Sequence, residues 1–313
     1  MSSELFPLLL ITLLAVIAPI FARRATPVVL PIVVGEILAG ILIGKSGLNL
    51  VKPNPALNFL AEFGFIFLMF LSGLEINFDE LFQPRREGGP RLTLQRPPYL
   101  AAISFLITAV IAVIIGSELA RRGLARNGTL MGLILSTTSL GVVMPVLKER
   151  RLITGTYGQV LMTSALLADF ATLLLLSITF AFIRRGPSVN ILLTLVLLGA
   201  FVSAVHMGQR MRRIPVLSWT VEELSHATAQ IQVRGAFALI VAWVFLAEAL
   251  GVEVILGAFL AGALISLTGG RAESALREKL DAIGYGFFIP IFFINVGTTF
   301  DLRALANSQS TLV

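Results

Sequence analysis

The segment "GEILAGILI", residues 35–43, returns near the other end of the chain as "GAFLAGALI", residues 257–265. Six of the nine positions are identical, and the copies are 222 residues apart. The same spacing pairs Gly64 with Gly286 in two further apolar segments. Chance similarity between helices rich in Gly, Ala and Leu is the alternative explanation. Because two segments match at one spacing, an internal structural repeat is favoured.

Composition places these segments in a membrane. The chain has 313 residues, of which 56% are hydrophobic and 13% charged, and its mean hydropathy is +0.90. Only helices and closed barrels satisfy their backbone in lipid, and a spanning helix needs ~20 apolar residues. The long apolar runs exclude a barrel and predict an all-α polytopic membrane protein. About ten spans are predicted, at 5–22, 27–44, 56–74, 98–118, 128–147, 157–183, 189–207, 231–250, 252–268 and 281–299.

The predicted spans give the repeat a direction. Seven helices separate the two copies, and an odd number reverses the second copy in the membrane. Such inverted repeats, with discontinuous helices near the midplane, are typical of secondary transporters. By the same repeat logic the partner of span 128–147 falls at roughly 350–370 and that of Asp169 at roughly 391. The chain stops at Val313, so we expect a truncated second repeat that lacks about three helices.

Charge distribution predicts the orientation. Eight basic residues fall on the N-terminal side of the predicted spans and fifteen on the other side. The positive-inside rule places the fifteen in the cytoplasm and the N-terminus outside. The net charge of +6 is therefore explained by loops, and no nucleic-acid partner is expected. With no cysteine, two histidines and no P-loop pattern, we expect neither a metal site nor a nucleotide or other cofactor.

One acid stands out in "LLADFATLLLL", residues 166–176. Asp169 is the only charged residue between residues 158 and 183, and a charge at the bilayer centre costs at least ~2.5–3.5 kcal/mol. The carboxylate could pair with a buried arginine such as Arg234, cap a helix or lie near the surface. The functional alternative, which we favour, is that Asp169 binds a proton and a cation in alternation.

A second polar feature precedes Asp169 by one span, in "LILSTTSLGVVMPVLKE", residues 133–149. It contains the hydroxyl residues Ser136, Thr137, Thr138 and Ser139, followed by Gly141 and Pro145. Proline lacks an amide donor, and hydrophobic segments interrupted by Gly and Pro indicate broken helices whose free carbonyls bind cations. The alternative is that the hydroxyls bond back to their own helix. We predict a helix break at Gly141 and Pro145, with Thr137, Thr138 and Ser139 beside the ion.

Two further polar residues are secondary candidates. Glu36 lies within span 27–44 and is interpreted first as a structural hydrogen-bonding group and second as a gate. Ser164, in the same span as Asp169, is a secondary ligand candidate.

Several motifs resemble the sodium/proton exchanger superfamily, and most closely its cation:proton antiporter-2 branch of Kef-type and related bacterial antiporters. They are "PIVVGEILAGILIG", "FGFIFLMFLSGLEINFDEL", "TSLGVVMPVLKE", "LLADFATLLLL", "LGAFLAGALIS" and "PIFFINVGTTFDL". The resemblance covers nearly the whole chain in order. It implies a homodimer, two crossed broken helices of which one contains Thr137 to Pro145, and Asp169 as the essential ion-binding aspartate.

The resemblance also implies a division of the chain. Residues 1–97 would be interface helices of the first repeat and 98–184 its core helices with the ion site. Residues 185–230 would form a linker helix and cytoplasmic loop, and 231–313 the interface helices of the second repeat. Many relatives carry Asp, Asn or Gln where this chain has Ala168, so one cation exchanged for one proton is expected. The second broken helix and its basic residue would lie beyond Val313.

The sequence therefore predicts a transporter of the bacterial inner membrane, and not an enzyme, that exchanges Na⁺ or K⁺ for H⁺ along ion gradients. A gated K⁺ efflux channel is the first alternative, but no filter-like motif is visible. An intramembrane aspartyl protease is less consistent, because no second deep acid lies close to Asp169. A non-transporting sensor or a decayed, truncated antiporter is the remaining alternative.

Overall fold

The computed structural model describes residues 2–24, 30–52, 54–76, 97–153, 155–184, 230–268 and 273–302, together with isolated positions between 193 and 206. These residues form helices joined by turns, and none of them is in a strand. Six of the helical segments are long and apolar enough to cross a membrane. The protein is thus an all-helical, multi-pass membrane protein, as the composition predicts.

The helices are α1 (Ser2–Arg24), α2 (Ile32–Ile43), α3 (Pro55–Glu75), α4 (Pro97–Arg121), α5 (Gly128–Ser136), α6 (Leu140–Glu149), α7 (Thr156–Arg184), α8 (Ile231–Ala249), α9 (Val254–Thr268), α10 (Glu273–Ile283) and α11 (Ile289–Thr299). A π-helical turn, Gly284–Phe288, joins α10 to α11. Most of the predicted span 189–207 lies outside the described residues.

Three of the predicted spans differ from the observed helices. Span 27–44 is helical only as α2, because Pro31 occupies the N-cap and a proline disfavours helical backbone in the residue before it. Span 128–147 consists of two short helices, α5 and α6. Span 281–299 belongs to a longer helical segment that begins at Glu273 and includes the π turn.

The chain divides into two compact units. The first, which we call the scaffold unit, comprises residues 1–75 and 194–302 and contains α1–α3 and α8–α11. The second, the site unit, comprises residues 76–193 and 303–313 and contains α4–α7. The domain boundaries near residues 97, 184 and 230 stay predictions.

The two sequence copies pack through equivalent glycines in the scaffold unit. Gly35 of α2 faces α1, and its counterpart Gly257 of α9 faces α8. Gly40 of α2 faces α11, and its counterpart Gly262 of α9 faces α3. A Cβ at any of the four would lie 2.9 Å or closer to an atom of the facing helix. Glycine therefore permits the close approach of helix backbones at each crossing.

Helices α2 and α11 run in the same direction. Gly40 meets the carbonyl of Ile294, and beyond the end of α2 Lys45 Nζ lies 2.6 Å from Asp301 Oδ2. The two helices therefore advance together along the chain.

Helix α3 runs opposite to α11. Gly284, at the start of the π turn, meets the side chain of Leu71, whereas the Phe292 ring stacks on Phe65 with centroids 4.7 Å apart. A later residue of α11 thus meets an earlier residue of α3. Aromatic packing of this kind adds ~0.5–1.5 kcal/mol per pair to the area that it buries.

An ion pair links α10 to the end of α3. Arg277 Nη1 lies 3.0 Å from Glu75 Oε2, and Arg277 Nη2 donates to the carbonyl of Leu74 at 2.8 Å. The Glu75 side chain is 8% exposed. The guanidinium thus satisfies both a buried carboxylate and a carbonyl in the last turn of a helix, where positive charge is favourable.

In the site unit, α4 and α5 cross at glycines. A Cβ at Gly116 would lie 2.4 Å from the Gly128 carbonyl oxygen, and one at Gly132 would lie 2.6 Å from Val113 Cα. Asn127 caps α5, since its Oδ1 accepts hydrogen bonds from two first-turn amides at 3.0 and 3.1 Å. The cap and the glycine crossing fix the short helix α5 against α4.

Candidate functional site

The helix break lies between α5 and α6, at residues 137–139. Thr137 (φ −67°, ψ 144°) and Ser139 (φ −76°, ψ 103°) have extended backbone. Threonine is β-branched, and hydroxyl side chains offer the backbone alternative hydrogen bonds, so consecutive hydroxyl residues disfavour a continuous helix. The break is therefore made by these residues themselves.

Gly141 and Pro145 do not form the break, contrary to the position predicted from the sequence. Both are buried within α6, whose first residue is Leu140. Pro145 is the sixth residue of α6 and has no amide to donate to the carbonyl of Gly141. The chain unwinds one turn earlier, where the hydroxyl residues are.

Two of the four hydroxyls bond back to their own helix. Ser136 Oγ donates to the Leu133 carbonyl and Thr137 Oγ1 to the Ile134 carbonyl, both at 2.8 Å. The back-bonding alternative thus holds for these two residues. Their oxygen lone pairs stay able to accept, because a hydroxyl donates one hydrogen and carries two acceptor sites.

Thr138 and Ser139 differ from the two preceding residues. Thr138 is half-buried and Ser139 is exposed. The Ser139 side chain does not cap α6, whereas its backbone carbonyl accepts from the amides of Val142 and Val143 at 3.1 and 3.0 Å. The hydroxyls of Thr138 and Ser139 are therefore not used to close either helix in the described structure.

Asp169 faces the beginning of α6. It is the fourteenth residue of α7, is half-buried, and its carboxylate interacts with the backbone amide of Leu140. The amide ends of a helix carry partial positive charge, so the start of α6 stabilises a carboxylate there. Within the described part of this unit, no Lys or Arg side chain forms an ion pair with Asp169. The structure thus brings the acid to the broken helix.

Ser164 lies on α7 but on a different face from Asp169. Five residues of an α-helix correspond to a rotation of about 140°. The Ser164 Oγ atom is buried, with no hydrogen-bond partner among the described residues. Shared membership of α7 therefore does not place Ser164 beside the carboxylate.

Arg234 and Glu36 belong to the scaffold unit. Arg234 is the fourth residue of α8, so it lies in the first turn and not near a helix interior, and its side chain is exposed. Glu36 is 4% exposed within α2. The burial of Glu36 is consistent with the structural interpretation given to it from the sequence.

Sequence reasoning missed two polar residues of α7. Thr172 is buried, and its Oγ1 lies 2.6 Å from the carbonyl of Ala168 and 3.2 Å from that of Asp169. Gln159 is also buried, and its Nε2 donates to the Ile153 carbonyl at 2.9 Å. The available signal was a threonine three residues after the acid and an amide side chain ten residues before it.

A buried acid facing the amide end of a broken membrane helix defines the class of site found in ion transporters. The description "sodium/hydrogen exchanger, transmembrane" belongs to the family whose model matches residues 10–313. The chain belongs to this family. The sequence-based prediction of the sodium/proton exchanger superfamily, and of a transporter and not an enzyme, is confirmed.

Individual relatives carry the same description. The putative Na⁺/H⁺ antiporter YjbQ of Bacillus subtilis is 38% identical over 309 residues, which cover 98% of this chain and 49% of the relative. The probable Na⁺/H⁺ antiporter 3 of Methanocaldococcus jannaschii is 30% identical over 281 residues, or 89% of this chain and 68% of the relative. The K⁺ efflux antiporter 4 of Arabidopsis thaliana is 29% identical over 291 residues, 90% of this chain and 46% of the relative. The chain thus spans about half the length of some of the relatives that it matches.

Proposed function

We propose that this chain contains the ion site of an antiporter that exchanges a monovalent cation, Na⁺ or K⁺, for H⁺. One observation carries the proposal: the Asp169 carboxylate faces the amide of Leu140 where the helix is broken. An acid inside a membrane is costly, so its retention at a helix break favours an ion pathway. The names of the relatives support the same class of substrate.

In this mechanism the carboxylate holds one positive ion at a time. A bound proton neutralises Asp169, and a bound cation does the same, so the two compete for one site. Oxygen atoms of the break, from Thr137, Thr138 and Ser139, would replace water around the cation, as unwound carbonyls do in transporters of this kind. The exchange uses only the ion gradients and requires no cofactor.

We infer that the exchange is electroneutral. The residue before Asp169 is Ala168, which is buried and has no second carboxylate. One acid can release one proton for each cation that it binds. A measured ratio of two protons per cation would contradict this inference.

An inverted repeat provides two access states for such a site. Sequence copies α2 and α9 begin at Gly35 and Gly257, and α2 runs with α11 while the next helix, α3, runs against it. Helix α9 precedes the α10–α11 segment as α2 precedes α3. This arrangement supports a ten-helix architecture with oppositely directed copies, in which a core bundle moves relative to a scaffold.

We further propose a homodimer in the inner membrane of a bacterium, with the N-terminus outside. The excess of basic residues on one side of the predicted spans supports the orientation. Cysteine labelling decides it, because the chain has no native cysteine.

The functional test is exchange in proteoliposomes. Cation-induced proton release is measured with Na⁺ and K⁺ in turn, for the wild type, for Asp169→Asn and for Glu62→Gln, which removes an exposed acid of α3. Exchange in the wild type and in Glu62→Gln, together with its loss in Asp169→Asn, is the expected result. Exchange that persists in Asp169→Asn would refute the role of this carboxylate.

A further inference from the structure

We propose that Gln159 is a positioning residue that fixes the register of α6 against α7, and so holds the Leu140 amide at Asp169. This inference rests on the proposed function for its meaning in transport. Its structural content is independent, because it concerns only the hairpin formed by α6, the turn at residues 150–155 and α7. Gln159 does not contact the ion in this proposal.

The hairpin has arms of matched length. Leu140 and Glu149 are the first and last residues of α6, and Gln159 lies ten residues before Asp169 on α7. At 1.5 Å per residue both stretches measure about 15 Å. Because Leu140 meets Asp169 at one end, the turn at the other end determines which residues face each other.

The turn is tightly closed. Leu152 N donates to the Leu147 carbonyl at 2.9 Å, and Arg151 has a φ of 57° in the left-handed region. This pairing of residue i with residue i−5 through a left-handed residue ends helices firmly. A Cβ at Gly158 would lie 1.9 Å from the Leu152 carbonyl oxygen, so the first turn of α7 presses directly on the loop.

The Gln159 side chain connects this loop to α7. It is 2% exposed, and its Nε2 donates to the carbonyl of Ile153, six residues earlier, at 2.9 Å. Ile153 is itself buried, so the loss of this donor leaves a buried carbonyl without that hydrogen bond. An amide that bridges a loop and a helix in this way resists sliding of one arm of the hairpin along the other.

The register matters because the site is small. A slip of one residue moves the Leu140 amide about 1.5 Å along the axis and 100° around it. Displacements near 1 Å at a reacting centre can change rates about 100-fold. A residue 15 Å away can therefore control ion affinity without contacting the ion.

The structural arm of the test uses the absence of native cysteine. The pair Leu140→Cys and Asp169→Cys is joined with a short bifunctional thiol reagent, with and without Gln159→Met. We expect efficient cross-linking in the first case and about tenfold less in the second, since an unsatisfied buried carbonyl shifts populations by that order. Gln230→Met, which changes an exposed amide of the scaffold unit, should leave the yield unchanged. An equal yield with Gln159→Met would overturn the proposal.

The transport arm separates positioning from general stability. Gln159→Met should raise the apparent KM for the cation about tenfold, while Vmax per folded protein stays within about twofold, as expected for a tenfold loss of affinity alone. If Gln159→Met does not fold, Gly158→Ala retains the amide and opens the same turn, and it should give the same shift in KM. An unchanged KM would show that Gln159 is only structural. Loss of exchange in Asp169→Asn is measured alongside, so that failure of the proposed function is recognised separately.

Discussion

The glycine crossing between α2 and α11 gives a quantitative prediction for Gly40→Ala. A Cβ at Gly40 would lie 2.1 Å from the Ile294 carbonyl oxygen, and ordinary contact begins at 3.4 Å, so the helices must separate by about 1.3 Å. Neither contact atom is the end of a flexible side chain, so the backbone has to move. Overpacking of this kind costs ~1–3 kcal/mol.

The matched control is Gly235→Ala in α8. A Cβ there meets no atom within 4 Å, and the position is exposed. Alanine is favoured over glycine in a helix interior by ~0.5–1 kcal/mol, so this variant should be slightly more stable than the wild type. The same chemical change is therefore expected to have opposite signs at the two positions.

The assay is thermal unfolding in detergent, followed by circular dichroism and by the amount of monodisperse protein after heating. At roughly 2–4 °C per kcal/mol, Gly40→Ala should lower the melting temperature by several degrees and Gly235→Ala should not. If both variants shift equally, or if Gly40→Ala is neutral, the close approach of α2 and α11 is not present in the protein.

Further predictions use the same assays. Arg277→Met should destabilise the scaffold by about 3–5 kcal/mol, because it leaves the carboxylate of Glu75 without its ion pair, and less destabilisation than from Lys45→Met, whose pair is exposed, would contradict this. Asn127→Ala should cost ~1 kcal/mol through the lost helix cap, whereas Asn127→Asp should retain most of the stability. Thr172→Val should lower exchange and Thr172→Ser should restore it, because the hydroxyl bonds the backbone at Asp169, and equal rates for the two variants would argue against this.

The sequence predicted the class of fold and the main acid well. Apolar length alone identifies spanning helices, because lipid leaves the backbone few options, and a lone carboxylate such as Asp169 is conspicuous against an apolar run. The repeat was also visible, since the close crossings at Gly40 and Gly262 accept no other residue type. These features depend on local sequence, so a single chain reveals them.

Other parts of the site were not predictable in the same way. The break was expected at Gly141 and Pro145, yet the chain unwinds at residues 137–139, because hydroxyl side chains compete with the helix there and α6 tolerates the proline. The role of Gln159 depends on a carbonyl in a loop, and the Leu140 amide has no side-chain signature at all. Contacts made by backbone groups leave no residue type to read.

The lengths of the two half-helices have an electrical consequence. Helix α5 has 9 residues and α6 has 10, which at 1.5 Å per residue is about 14 and 15 Å, each half of a hydrocarbon core of about 30 Å. An ion at the break has thus crossed half of the membrane voltage, worth about 1.2 kcal/mol per charge at 100 mV. A proton and a monovalent cation that take turns at this depth experience equal and opposite electrical work, so the voltage favours neither direction of exchange.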